Sequence, residues 1–192
     1  MTWSTINETS DSRVLVGRKR FEREFIGSSS LFVDGGPEGR TQYIHTVTLT
    51  DLKPVTYYLY RVGSSQGWSD LFFTRTHPAG TDWAPTIALY GDLGNENAAS
   101  LPFLQRDISE GAYDLVIHVG DMAYDMAEEN GGRGDVFMQQ IEPIATVVPY
   151  MTCPGNHEQH YNFSNYKVCT RNHVSRYGTG PISKKKKRSM MP

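Results

Sequence analysis

Cysteine is scarce in this chain: its 192 residues hold two, Cys153 and Cys169. Two cannot build a disulfide scaffold, and their spacing is not that of a zinc knuckle. Whether they pair in an oxidising compartment is left open by the sequence. Long apolar runs are also missing, which excludes a membrane-spanning helix. Met1-Thr2-Trp3-Ser4-Thr5 has neither a basic start nor an apolar stretch, so the chain as given carries no secretory signal. There is no excess of one charge: 19 Lys and Arg stand against 21 Asp and Glu, a net charge of -2. That balance gives no general pull toward nucleic acid or a membrane, and neither is expected as a partner. The one local imbalance is the run Lys184, Lys185, Lys186, Lys187 and Arg188, which reads as a solvated charged tail. What is present suffices for folding, since 38% of the residues are hydrophobic and 21% charged. The length allows one large domain or two small ones.

Residues 1–78 read as β. Tyr43–Leu49, Tyr57–Val62 and Leu71–Thr74 are rich in β-branched and aromatic residues and are separated by turn signals. Short strands at that spacing predict an antiparallel sandwich. Leu52, Pro54 and Tyr58 fit a corner in which a Tyr hydroxyl bonds back to nearby backbone. No chemistry is evident here, and the region reads as a packing or docking module. After the linker Thr76–Gly80 the pattern changes. Thr86–Tyr90 and Asp114–Val119 read as strands buried on both faces, and Val147–Thr152 as a weaker one. Helices are expected over 97–110 and from about Asp135 to Ala145. Alternating strands and helices predict a parallel sheet with crossover helices. From about Val168 the apolar periodicity ends, and residues 168–192 read as a divergent basic tail.

Each of the three parallel strands ends in a glycine and an oxygen-bearing side chain. The first gives Gly91-Asp92-Leu93-Gly94, the second Gly120-Asp121-Met122-Ala123-Tyr124, the third Gly155-Asn156-His157-Glu158. Ligands of open α/β sheets bind outside the carboxyl ends of the strands. A single Gly-Asp is usually a turn, but three in register bring carboxylates together, and these repel unless a cation or proton lies between them. Asp92 and Asp121 supply anionic ligands, Asn156 a carbonyl oxygen and Tyr124 a phenolate suited to a hard ion such as ferric iron. Asp121, in the middle, could bridge two ions. Two ions about 4 Å apart can clamp the attacking and leaving oxygens of a phosphoryl displacement and generate a hydroxide near neutral pH. His157 could donate a proton to the leaving oxygen or hold a phosphate oxygen.

GDxG, GDxxY and GNHE, in this order on successive strands, resemble the purple acid phosphatases of the metallophosphoesterase superfamily. The likeness runs from about Met1 to Lys167. Tyr43-Ile44-His45, Tyr58-Leu59-Tyr60-Arg61-Val62-Gly63-Ser64 and Gly67-Trp68-Ser69 are similar to the family's fibronectin-III-like N-terminal domain. Met151 through Lys167 is similar to the animal iron/zinc type. The resemblance implies a fibronectin-III-like antiparallel sandwich over 1–78, its first strand lying before Met1, and the first half of a metallophosphoesterase α/β sandwich over 84–167. It implies that Asp92, Asp121 and Tyr124 bind a ferric ion, with Asp121 bridging, and that Asn156 binds a divalent ion (zinc, iron or manganese). His157 would face a phosphate monoester hydrolysed at acidic pH. A secreted or lysosomal location follows from the family. There the sequons Asn7-Glu8-Thr9 and Asn162-Phe163-Ser164 would matter, with Asn162 the candidate glycan acceptor.

Two later blocks of the family's pattern, a VxxH-like motif and GHxH, are not found among the six histidines. His160 and His173 read as solvated, His118 as packed or hydrogen-bonded within its strand, and His45 and His77 as sandwich or surface residues. Losing even the supporting partners of metal ligands costs about 10–100-fold in affinity, and losing ligands costs more. The chain is therefore expected to be inactive by itself, with open strand edges and uncovered apolar faces. The alternative to an enzyme is a non-catalytic product acting as a binding module. Val55 stands where the family has Gly in a Leu-x-Pro-Gly turn.

Overall fold

The computed structural model describes the backbone of residues 1–170 and the side chains of residues 1–167. His173, the run Lys184–Arg188 and the side chain of Cys169 lie outside the described residues.

Eight strands come first: β1 (Thr2–Thr5), β2 (Arg13–Gly17), β3 (Arg23–Ile26), β4 (Ser28–Val33), β5 (Thr41–Thr46), β6 (Tyr57–Ser64), β7 (Gly67–Trp68) and β8 (Phe72–Arg75). One sheet has the order β1-β5-β4, the other β3-β2-β6-β7 with β8 also on β6. Every pairing is antiparallel. Alternation on β6 points Tyr58, Tyr60 and Val62 inward, where they meet Trp3, Val14, Val16 and Val47. His45 is buried among them. It stacks on Trp3 and bonds Thr5 Oγ1 at 2.9 Å and Ser12 Oγ at 2.8 Å. The expected corner is present, with the Lys53 N–H donating to the Tyr58 hydroxyl at 3.0 Å. The expected strands correspond to β5, β6 and β8. β3 and β4 were not legible because they have no fully buried residue and hence little apolar alternation to read.

The second part contains β9 (Ile87–Tyr90), α1 (Leu101–Ser109), β10 (Leu115–Val119), α2 (Gly132–Ala145) and β11 (Tyr150–Cys153). The strands are parallel, in the order β11-β10-β9. Helix α2 begins three residues before the expected Asp135, because Gly131 at φ 80° turns the chain into it. Leu101 and Ile108 of α1 and Phe137, Ile141 and Ile144 of α2 pack with Ala88, Val116 and Tyr150 of the sheet. Only that face is covered among the described residues. On β9, Ile87 and Leu89 are 41% and 66% exposed, so the expectation of burial on both faces is not met there. Val119 and Met151 are exposed as well.

The two parts are fastened by polar contacts. Tyr60 Oη donates to the Thr146 carbonyl at 2.7 Å and Thr74 Oγ1 to the Val147 carbonyl at 2.9 Å. Arg40 pairs with Asp135, which also accepts from Gln42 Nε2 at 3.1 Å. His77 lies 3.1 Å from the Asp114 carbonyl.

Candidate metal centre

The loops after β10 and β11 touch backbone to backbone. A Cβ on Gly120 would lie 2.8 Å from Gly155 Cα, and one on Gly155 only 2.2 Å from Asp121 Oδ1. Glycine is therefore required at both places, and Gly120 also sits at φ 72°. Asp92, Asp121, Tyr124 and Asp125 all adopt left-handed backbone, with φ of 55°, 51°, 49° and 81°. Such strained residues cluster where a site over-determines its backbone.

The side chains converge. Tyr124 Oη donates to Asp92 Oδ1 at 2.8 Å, joining the first strand end to the second. The His157 N–H donates to Asp121 Oδ1 at 3.0 Å, joining the second to the third. The rings of Tyr124 and His157 lie 4.7 Å apart. Asn156 opens a single 3₁₀ turn, Asn156–Glu158, and is exposed. Asp92, Asp121, Tyr124 and His157 thus form one constellation, with Asn156 at its edge. Cys153 is exposed at the end of β11. Asn162 is exposed at the start of α3 (His160–Thr170), where Tyr161, Asn162 and Phe163 are all left-handed.

The electrostatics favour a cation. The hydrogen bond to Asp92, then burial and the nearby carboxylates, hold the Tyr124 phenol above its usual pKa. A cation between Asp92 and Asp121 would reverse that influence and release the proton. Two carboxylates, a phenol and an amide are hard oxygen donors, which fits a hard ion. Among the described residues no three His, Cys, Asp or Glu side chains gather closely enough to hold a metal, so the donor set depends on Tyr124 and Asn156.

Two partners were missed from the sequence. Asp125 Oδ1 lies 3.1 Å from His157 Nδ1 and 3.3 Å from His160 Nδ1. That contact raises the pKa of His157. His160 is still half exposed, as expected of it, but it joins the cluster. Glu158, the last residue of GNHE, is buried and accepts bonds from both loops. His118 is fully buried and bonds Tyr150 Oη at 2.8 Å, in line with its expected packing role.

Comparison with known proteins gives the same assignment. Residues 1–76 match the family model "Purple acid Phosphatase, N-terminal domain", and residues 85–187 match "Calcineurin-like phosphoesterase". The second match runs past Lys167, where the resemblance read from the sequence ends. Acid phosphatase type 7 of Danio rerio is 51% identical over 171 residues, covering 88% of this chain and 38% of that protein. Its Mus musculus counterpart is 54% identical over 142 residues, covering 74% and 32%. A solved purple acid phosphatase from yellow lupin (Lupinus luteus) seeds superposes with a TM-score of 0.62 at 30% identity, covering 77% of this chain and 30% of that one. The chain spans about a third of the length of the curated relatives it matches. With both family models matched in order and the GDxG, GDxxY and GNHE residues brought to one sheet edge, the chain belongs to the purple acid phosphatases, within the calcineurin-like phosphoesterases.

Proposed function

We propose that this chain supplies the first half of the ligand set of a dinuclear phosphoesterase centre, and that the centre, once complete, hydrolyses phosphate monoesters at acidic pH. The observation that carries this reading is the junction of the three strand ends: Tyr124 on Asp92, and the His157 N–H on Asp121. Asp92, Asp121 and Tyr124 would hold a ferric ion. Asp121 would be shared with a second, divalent ion (zinc, iron or manganese), to which Asn156 adds its oxygen. When bound, such a pair neutralises phosphoryl charge and clamps the reacting oxygens.

The chain's own residues do the rest. Asp125 fixes the His157 ring through Nδ1, which leaves Nε2 for a phosphate or leaving-group oxygen. Because Asp125 raises its pKa, His157 keeps its proton further up the pH scale and can serve as donor in mild acid. Residues 1–78 form the packing module and residues 84–167 the metal-bearing layer. A secreted or lysosomal setting, with Asn162 as glycan acceptor, belongs to the same reading.

A non-catalytic binding role is the second reading, favoured by the fate of the histidines. His45 and His118 are buried in cores, His77 lies on the Asp114 carbonyl, and no GHxH occurs. The two readings separate in an aryl-phosphate assay at acidic pH with bound iron and zinc counted. The 192-residue chain is expected to show neither metal retention nor turnover. Extended through a GHxH block it is expected to turn over, and to lose at least about 100-fold with Asp121→Ala. Undiminished turnover in that variant would sink the proposal.

A further inference from the structure

Glu158 is only 4% exposed, yet it is a carboxylate with no place in the ligand set described above. Burying a carboxylate is costly unless its lone pairs are used. Here they are. Oε2 accepts the N–H of Asp121 at 2.8 Å and of Gly155 at 2.7 Å, and Oε1 accepts the N–H of Met122 at 2.9 Å. The bond to Gly155 is local and reaches back three residues, as the acidic member of a helix cap does. The other two reach across to the loop after β10, 36 and 37 residues away in the chain.

These are charge-assisted bonds, shorter and stronger than neutral ones. Their donors sit where the chain leaves regular structure, with Gly120 and Asp121 both at positive φ, so no sheet ladder takes these amides. The tie is reciprocal. Glu158, from the third loop, grips the backbone of the second, while Asp121, from the second, accepts the His157 N–H of the third at 3.0 Å. The glycine contact between Gly120 and Gly155 is the close approach this arrangement permits.

We infer that Glu158 is the positioning residue of the centre: by holding the backbone of Asp121 and Met122 against that of Gly155, it sets the Asp121 carboxylate relative to Asn156 and His157 without touching ion or substrate. The inference takes Asp121 as a metal ligand from the functional reading above. Its test involves neither metal nor substrate, so either can fail while the other stands.

The test is residue-resolved amide hydrogen exchange of the full chain, without added metal, in wild type, Glu158→Ala and Glu158→Gln. Glu158→Ala is expected to speed exchange at Asp121, Met122 and Gly155 by at least about tenfold. It is also expected to speed exchange at His157, whose N–H bonds Asp121 and not Glu158; that is the positioning readout. Core amides such as Val116 and Ile141 should be little changed. Glu158→Gln, whose single carbonyl replaces Oε2, should restore Asp121 and Gly155 and leave Met122 fast. Unaltered protection of His157 in Glu158→Ala would reduce Glu158 to a local cap and overturn the inference. So would uniform acceleration in the core, or no change at the three bonded amides.

Discussion

Val55 holds φ at 49°, where the Cβ of a branched residue meets its own following carbonyl. The turn around it is fixed from outside. Tyr58 Oη accepts the Lys53 N–H, Thr76 Oγ1 donates to the Lys53 carbonyl at 2.6 Å, and Thr56 Oγ1 to the Pro54 carbonyl at 2.8 Å. Val55 is 49% exposed, so burial returns little of the strain. Glycine, expected here from the Leu-x-Pro-Gly pattern, adopts this conformation freely. Val55→Gly should raise stability by about 1 kcal/mol, after the entropy glycine adds to the unfolded chain. A lower urea midpoint in the variant would contradict this. At the same scale, the convergence of Asp92, Asp121, Tyr124 and His157 was legible because each stands in a short local signature at a strand end. Glu158 and Asp125 were not legible as partners. Their contacts are with backbone and rings brought in from 32 to 37 residues away, and no spacing encodes those.

The three strands that end in GDxG, GDxxY and GNHE are also tied beneath the site. Tyr90 Oη of β9 donates to Tyr150 Oη of β11 at 2.9 Å, and Tyr150 Oη in turn hydrogen-bonds His118 Nδ1 of β10 at 2.8 Å. The strand compositions showed a buried sheet; they did not show that its middle strand would carry a neutral imidazole in the core. Burial lowers the His118 pKa from 6.5 to about 4, against the opposing pull of Asp92 and Asp121. The sign follows. Protonation is resisted only in the fold, so the cost begins as pH drops below 6.5 and is complete below about 4. At full extent it is on the order of 3 kcal/mol. Burial lowers His45 in the sandwich in the same direction. The urea midpoint of wild type should therefore fall more between about pH 7 and pH 4.5 than that of His118→Gln. Equal falls would show that His118 does not carry this pH dependence.

At the scale of the whole chain, the sandwich is more than an appendage, because its buried Tyr60 hydroxyl satisfies the Thr146 carbonyl just past α2. Tyr60→Phe leaves that carbonyl without this donor and should cost about 1–2 kcal/mol, read as a lower calorimetric midpoint. An unchanged midpoint would mean the two parts are not coupled through this bond. The order of a β-rich part and a parallel α/β part was legible from strand and helix periods. The contacts between them were not, because they use backbone carbonyls and single polar side chains. The sheet face left open among the described residues, with Leu89 at 66% exposure, was anticipated only from the absence of later motifs. Whether Asp92, Tyr124 and Asp121 close on one ferric ion is tested most directly by visible absorption of the iron-loaded protein extended through a GHxH block. The phenolate-to-iron band should be present in wild type and absent in Tyr124→Phe, with the circular dichroism of the fold retained; a band undiminished in Tyr124→Phe would contradict the assignment.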